Sequence, residues 1–192
     1  SLHELVNGAF AGYGERIGSA HTDLEIFIYD RFAGYLRERG YTAHEVDAVL
    51  SMNPDRLDFV LRQLEAVRAF GALPEAESLA AANKRVVNIL RQAQTRGESF
   101  INAESTRLVE PAERTLFDAL HATSREAGRL FEAGDFTGYL KSFAVLKSPV
   151  DNFFDSVMVM ADEPELRRNR LALLADLRAQ MNRVADLSKL AA

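Results

Sequence analysis

Apolar residues recur at helical spacing along almost the whole chain, and this periodicity restricts the fold more than any other feature. A typical apolar face is formed by Leu24, Ile28, Phe32 and Leu36. The alternation of apolar and polar residues that marks a β-strand is nearly absent. We therefore predict an all-α fold, an antiparallel helical bundle whose helices are joined by short connections.

Capping boxes predict where several of these helices begin. In a capping box, a Thr or Asp side chain accepts a backbone hydrogen bond, and a Glu three residues later returns one. The sequence predicts such boxes at Thr22–Glu25, Thr42–Glu45 and Asp162–Glu165. The helix that follows Asp162 is predicted to extend through Val184 and to be the longest in the chain.

Prolines predict the remaining helix starts, because proline fits the first helical turn and lacks the N–H that a later position needs. We predict starts at Asn53–Pro54, Pro74, Pro111 and Ser148–Pro149. Glycines supply the stops, since glycine adopts the left-handed conformation that ends many helices. These predicted stops are Gly40, Gly71, Gly97 and Gly134.

The chain divides into a short first segment and one helical unit. Residues 1–20 have weak periodicity and are interrupted by Gly8, Gly12, Gly14 and Gly18, so we predict the tail of a preceding helix or a linker. Residues 21–192 are predicted to form one helical domain. The polar stretch over residues 94–99 is the most linker-like part of that domain.

Composition excludes several classes of protein. The 192 residues include 47% hydrophobic residues and no cysteine, so a buried core is expected, and disulfides and thiolate metal sites are excluded. No apolar run is long enough for a membrane span, and we expect a cytoplasmic protein. The net charge of −5 argues against a generic phosphate binder, so any RNA contact must be local and selective.

Catalytic motifs are absent from the sequence. The four histidines are scattered and lack the spacing of a helical metal site. The Gly12-Tyr13-Gly14 segment follows no strand, so it is not interpreted as a dinucleotide loop. No nucleophile elbow or phosphate-binding loop occurs. We expect the chain to be non-catalytic.

Basic and amide side chains over residues 84–91 form the first candidate binding surface. Lys84, Asn88 and Arg91 fall on one helical face, away from the apolar side that carries Val86, and Arg85 lies beside them. Two interpretations stay open. These side chains either contact RNA or form the solvated back of an amphipathic helix.

The run Arg167-Arg168-Asn169-Arg170 is the second candidate. Its charges lie in the first turns of a predicted helix, where they oppose the helix dipole and need a compensating partner. That partner is either an RNA phosphate or one of the nearby acidic residues, Asp151, Asp155, Asp162 and Glu163.

Phe153 and Phe154 are a third feature to be interpreted. Aromatic side chains stack on unpaired bases in single-stranded RNA recognition. Both residues also fit the apolar stripe formed by Val150, Val157 and Met158. We therefore predict that they pack in the core.

Several segments resemble one known family closely. Residues 148–162 (SPVDNFFDSVMVMAD), 166–174 (LRRNRLALL) and 184–188 (VADLS) resemble the C-terminal signature of the bacterial-type glycyl-tRNA synthetase beta subunit. Segments 27–31, 82–90 and 136–143 are similar to that family as well. The resemblance therefore extends over essentially the whole chain.

The resemblance implies a helical anticodon-binding domain of the DALR type, similar to that of arginyl-tRNA synthetase. In this family the alpha subunit carries the adenylate chemistry with ATP and Mg²⁺, and the beta subunit supplies tRNA binding. The implied partners are glycine tRNA, the alpha subunit and the rest of the beta subunit, with no cofactor in this chain and no membrane or DNA partner. Among the exposed donors, the candidates for RNA binding are Lys84, Arg85, Asn88, Arg91, Arg167, Arg168, Asn169 and Arg170.

Two alternatives remain open. An anticodon-binding domain of the arginyl type would share the fold but read different bases. A helical protein-interaction module would dock another subunit through its acidic surface and would not touch RNA.

Overall fold

The computed structural model describes residues 1–13, 16, 18 and 20–191. Regular structure within these residues is helical, and they include no β-strand, which confirms the predicted fold class. The α-helices are α1 (Leu2–Tyr13), α2 (His21–Glu38), α3 (Ala43–Leu50), α4 (Val60–Gly71), α5 (Ala76–Thr95), α6 (Pro111–Glu132), α7 (Phe136–Ser142), α8 (Lys147–Ser156) and α9 (Pro164–Met181). No helix in the described part of the chain has both the length and the apolar character of a membrane span.

Several predicted boundaries are confirmed by hydrogen bonds. At the start of α3, Thr42 Oγ1 accepts from the Glu45 backbone N–H at 3.2 Å, and the Glu45 carboxylate accepts from the Thr42 N–H at 2.7 Å. Pro111 is the first residue of α6. Gly134 ends that helix with a φ of 71°, a left-handed conformation that favours glycine. At these three positions the type of residue is enough to predict where the helix begins or ends.

Other predicted helix starts are wrong. Helix α2 begins at His21, so Thr22 lies inside it and caps nothing. Asn53 has a φ of 49° and turns the chain after α3, a conformation that asparagine tolerates, while α4 begins only at Val60. Helix α8 begins at Lys147, which places Ser148 and Pro149 inside its first turn.

The predicted limits of α5 and α9 also need correction. Helix α5 begins at Ala76, two residues after Pro74. Helix α9 does begin at Pro164, but its N-cap is Glu163 without a side-chain cap, so the box at Asp162 is not formed. Helix α9 has 18 residues and ends at Met181, whereas α6 has 22 residues and is the longer helix.

The first segment includes a helix that packs on α2. Leu2 and Val6 of α1 are buried, and the Phe10 ring stacks on His21 with centroids 3.8 Å apart. The Leu2 N–H donates to the Asp55 carbonyl oxygen at 2.8 Å. Gly14, the last residue of the Gly12-Tyr13-Gly14 segment, lies outside the described residues.

One hydrophobic core joins the later helices. Its largest buried side chains come from seven helices and the turn that follows α7, and include Leu36, Leu64, Phe70, Leu79, Leu116, Tyr139, Phe143, Phe153 and Leu171. Phe153 is buried as predicted, whereas Phe154 is only partly buried. Met158 was predicted to belong to the same stripe, but it follows the end of α8 and its side chain is 74% exposed.

Residues 182–190 fasten the end of the chain to three earlier helices. The buried Asn182 exchanges two side-chain hydrogen bonds with Asn83 of α5, at 2.7 and 3.2 Å. The Asp186 N–H donates to the Ala48 carbonyl oxygen of α3 at 2.7 Å, and Gln63 of α4 donates to the Val184 carbonyl oxygen at 3.2 Å. We call residues 182–190 the closing segment.

Candidate nucleic-acid interface

The predicted donors of α5 are exposed on its surface. Lys84, Asn88 and Arg91 lie on one face as the spacing predicted, and all three are exposed. Within this face the Arg91 Nη2 donates to the Asn88 Oδ1 at 2.9 Å, and the Lys84 Nζ lies 3.4 Å from the Ala191 carbonyl oxygen. We call these three residues the α5 face. All three side chains lie at the surface of the domain and outside its core.

Arg85 lies beside the α5 face and contacts α8. Its guanidinium carbon is 4.2 Å from the centroid of the Phe154 ring. This cation–π contact covers one face of the Phe154 ring, which is partly buried. Arg85 therefore has a structural contact as well as an exposed position.

The first two arginines of α9 are held by carboxylates. Arg167 is partly buried, and its Nε donates to the Glu98 carboxylate at 2.7 Å, while its Nη1 donates to the Ala161 carbonyl oxygen at 2.6 Å. Arg168 is exposed, and its Nη1 donates to Glu165 at 2.8 Å. Glu165 also accepts from Arg107, so two guanidinium groups share one carboxylate.

Asn169 and Arg170 are not exposed, and the expectation that they are exposed donors is wrong. Each side chain is about 5% exposed. Asn169 bonds to the backbone of Glu104 with both ends of its amide, at 2.7 and 3.1 Å. Arg170 donates to Glu113 at 2.5 Å and to the Met158 carbonyl oxygen at 2.8 Å.

Glu113 is a structural residue that the sequence patterns did not single out. Its side chain has no exposed surface, and one carboxylate oxygen accepts the backbone N–H groups of Val109 and Glu110, each at 2.7 Å. The other oxygen accepts from Arg170. The available signal was a carboxylate on the apolar side of α6, between Ala112 and Leu116, because a charge at such a position needs a buried partner.

The exposed candidate on α9 borders a shallow depression. Arg168 and Arg107 supply donors to it, and Glu104 and Glu165 supply acceptors. Its volume is about 100 Å³, and Ile101 at its edge is 81% exposed. We call this surface the Arg168 depression. It presents donors, acceptors and an apolar side chain within one small area.

The two candidate regions belong to a pair of antiparallel helices. Asn83 near the start of α5 bonds to Asn182 just after α9, and Glu98 just after α5 bonds to Arg167 at the start of α9. Arg91 is therefore nearer to the arginine end of α9 than Lys84 is. The structure thus divides the eight predicted residues into five exposed ones, Lys84, Arg85, Asn88, Arg91 and Arg168, and three that the fold engages, Arg167, Asn169 and Arg170.

Comparison with known proteins identifies the family to which the chain is similar. A sequence family described as "DALR anticodon binding domain" matches residues 79–190, which include every predicted site residue. Over 192 residues the chain is 57% identical to a protein of Thiobacillus denitrificans named "Glycine--tRNA ligase beta subunit", with all of the chain and 27% of that protein aligned. Proteins of the same name from Paracidovorax citrulli and Delftia acidovorans are 54% and 51% identical, over 99% and 100% of the chain. The chain spans about a quarter of these relatives, since 26% and 27% of the latter two are covered.

Proposed function

Because the chain belongs to the family of DALR anticodon binding domains, we propose that it recognises the anticodon region of glycine tRNA within a glycine–tRNA ligase. The observation that carries the proposal is the 57% identity to a protein named as the beta subunit of that ligase. The domain itself would be non-catalytic and cytoplasmic. Glycylation with ATP and Mg²⁺ would take place on the alpha subunit, and the rest of the beta subunit would complete the binding surface.

The chemistry of the glycine anticodon is compatible with the Arg168 depression. Glycine codons require cytosines at the second and third anticodon positions. The edge of a cytosine offers an amino donor beside two acceptors, so a protein site for it needs acceptors and donors together. Glu165 and Glu104 would accept from the amino group, and Arg168 would donate to the ring acceptors.

The α5 face would contact the backbone of the same RNA. Exposed Lys and Arg side chains bind phosphates, and such contacts position the RNA without reading its sequence. A chain with a net charge of −5 can bind RNA in this way when a few cations are placed together on one surface. Asn88 and Arg91 already share a hydrogen bond, so they would present their remaining donors together.

Binding assays with anticodon stem-loops test the proposal. The 192-residue chain is titrated at low salt with the stem-loop of glycine tRNA and with the stem-loop of arginine tRNA. We expect tighter binding of the glycine stem-loop, which also separates the glycyl type from the arginyl type. Equal affinities for the two stem-loops, or no binding of either, would favour a subunit-docking module.

A matched pair of variants locates the contact. Arg168→Glu reverses a charge in the Arg168 depression, and Arg129→Glu reverses an exposed arginine of α6 that is likewise paired with a glutamate three residues earlier, at 3.1 Å. We expect Arg168→Glu to weaken glycine stem-loop binding about tenfold, which corresponds to one lost base contact. Arg129→Glu is expected to bind like the parent. Equal affinity of the two variants for the glycine stem-loop would show that Arg168 does not contact the RNA.

A further inference from the structure

The chain between α5 and α6 passes along α9, and its residues 101–107 form one wall of the Arg168 depression. We call this segment the 101–107 loop. Its regular structure is limited to the short helical turn Ser105–Arg107. Before that turn, Asn102 adopts a left-handed φ of 44°, a conformation that asparagine tolerates. The backbone N–H and C=O groups of such a segment need partners from elsewhere in the chain.

Two polar side chains of α9 supply those partners. Asn169 Oδ1 accepts from the Glu104 N–H at 2.7 Å, and Asn169 Nδ2 donates to the Glu104 carbonyl oxygen at 3.1 Å. Asp176 Oδ2 accepts from the Ala103 N–H at 3.1 Å. Asn169 and Asp176 are about two helical turns apart and share one face of α9. Two consecutive residues of the loop are therefore fixed to that face.

The fixed loop brings charged groups from two parts of the chain together. The Glu104 carboxylate accepts from Arg107 Nε at 2.9 Å, and Arg107 also forms an ion pair with Glu165 of α9. Glu165 in turn accepts from Arg168 at 2.8 Å. The result is a row of alternating charges that begins on the 101–107 loop and ends on α9. Its geometry depends on where the loop lies relative to the helix.

The ion pairs of this row are too exposed to hold the loop by themselves. Each of the four charged side chains is between 44% and 58% exposed. Exposed ion pairs contribute little, because water and salt screen them. Asn169 is only 5% exposed, and buried hydrogen bonds are costly to lose because the freed groups have no water to bind. Asn169 is therefore the stronger connection between the loop and α9.

We propose that Asn169 is a positioning residue, which holds the 101–107 loop so that Glu104 and Arg107 are aligned with Glu165 and Arg168 around one anticodon base. This proposal rests on the proposed function of the Arg168 depression. It adds that affinity and base preference depend on a buried side chain that does not contact the RNA.

Asn83→Ala is the matched control for Asn169→Ala. Both asparagines are buried, and each uses both ends of its amide. Asn83 lies at the opposite end of the α5–α9 pair from Arg168. We expect both substitutions to lower the melting temperature. Only Asn169→Ala is expected to weaken binding of the glycine stem-loop, by about tenfold, and to reduce its preference over the arginine stem-loop.

Amide hydrogen exchange, measured by NMR without RNA, reports the position of the loop. The N–H groups of Ala103 and Glu104 are expected to exchange about tenfold faster in Asn169→Ala, because this loop opens locally once its partner is removed. In Asn83→Ala the same two groups are expected to exchange at the rate of the parent.

Asn169→Asp gives a second measurement, which also serves if the alanine variant does not fold. An ionised carboxylate only accepts hydrogen bonds, so it faces the Glu104 carbonyl oxygen without a donor. A protonated carboxyl has one donor and one acceptor, as the amide has, and burial favours the protonated form. The stem-loop affinity of Asn169→Asp, relative to the parent at the same pH, is therefore expected to rise several-fold from about pH 8 to about pH 5.5.

The outcomes separate this proposal from the proposed function. A parent chain without preference for the glycine stem-loop overturns both. If the parent has that preference and Asn169→Ala keeps both the affinity and the preference, only the positioning role is overturned. It is also overturned if Asn83→Ala loses as much affinity as Asn169→Ala, or if the relative affinity of Asn169→Asp does not change with pH.

Discussion

The α5 face and the arginine run of α9 are both rich in basic and amide side chains, but they differ in exposure to solvent. Lys84, Asn88 and Arg91 are exposed; Arg91 donates to Asn88, and the Lys84 Nζ lies 3.4 Å from the Ala191 carbonyl oxygen. In α9, Arg170 is buried against Glu113 and Arg167 is partly buried against Glu98. A cluster of basic residues on a helix therefore indicates an exposed binding surface only if no carboxylate from elsewhere in the chain pairs with those residues.

The position of each cluster along its helix explains the difference. The α5 face lies in the interior turns of its helix, with no basic residue in the last turn, so the helix dipole does not oppose its cations. Arg167 and Arg168 lie in the first turns of α9, where the dipole opposes them. Glutamates compensate there: Glu98 for Arg167 and Glu165 for Arg168.

Among substitutions that test this difference, we expect the largest loss of stability at Arg170. Arg170→Met leaves Glu113 charged and buried without its cation, so we expect the free energy of unfolding to fall by about 3–5 kcal/mol. Arg168→Met on the exposed side of the same run is expected to change it by no more than about 0.5 kcal/mol. Urea denaturation of both variants measures the difference, and similar losses would contradict the division of the run.

A second substitution tests the cause of the Arg170 effect. Glu113→Gln removes the buried charge and keeps an oxygen that can accept the Val109 and Glu110 N–H groups. The double variant with Arg170→Met is therefore expected to recover part of the lost stability. Without any recovery, the loss would have to come from packing and not from the unpaired charge.

A smaller effect is expected inside α5, at Asn83. Asn83→Ala leaves the buried Asn182 Nδ2 without its acceptor, while the Asn182 Oδ1 keeps the Leu187 N–H, so we expect a loss of about 1–3 kcal/mol in the free energy of unfolding. Asn88→Ala on the α5 face changes an exposed residue of the same type on the same helix, and its expected loss is within about 0.5 kcal/mol. Thermal and urea unfolding compare the two, and equal losses would mean that exposure does not separate these positions.

The smallest expected effect is at Asp151, which connects α8 to α5. Its carboxylate accepts from Lys147 Nζ at 2.6 Å and from Ser78 Oγ of α5 at 3.0 Å. Because this pair is solvent-exposed, Asp151→Asn is expected to lower the melting temperature by less than about 2 °C.

The pH dependence of that small effect has a definite sign. The hydrogen bond from Lys147, and then the one from Ser78, lower the pKa of Asp151 below its ordinary value of 3.8. A group with a lowered pKa in the folded state stabilises the fold above its unfolded pKa and loses that contribution as the pH falls. The difference between the parent and Asp151→Asn should therefore be constant near neutral pH and shrink below about pH 3.8. A difference that grows with acid would contradict the role assigned to Lys147.

The fold could be predicted from the sequence because its signals are local. Apolar periodicity, the Thr42–Glu45 capping box and the Pro111 start depend on residues within one turn of each other. The wrong start at Asn53 shows the limit of such signals, since the same residue also fits the left-handed turn that the structure contains. Periodicity thus predicts that a helix exists better than it predicts where the helix begins.

The exposure of the candidate site residues was harder to predict from sequence, because the carboxylates that pair with them are distant along the chain. Arg170 and Glu113 are 57 residues apart, and Arg167 and Glu98 are 69 residues apart. The acidic partners predicted for this run were Asp151, Asp155, Asp162 and Glu163. Among the described residues none of these forms an ion pair with Arg167, Arg168 or Arg170, whose partners are Glu98, Glu165 and Glu113. Long-range pairing of this kind depends on how the helices pack, which local spacing does not determine.

The closing segment has a consequence for the order in which this fold can form during synthesis. A ribosome that has released α3, α4 and α5 but not residues 182–190 leaves the buried Asn83 amide unpaired and the Ala48 carbonyl oxygen without the Asp186 N–H. Glu113 likewise meets Arg170 only after α9 has emerged. The nascent chain therefore holds these helices without their final hydrogen bonds, and the domain reaches full cooperativity only after its last helix and the closing segment have left the exit tunnel.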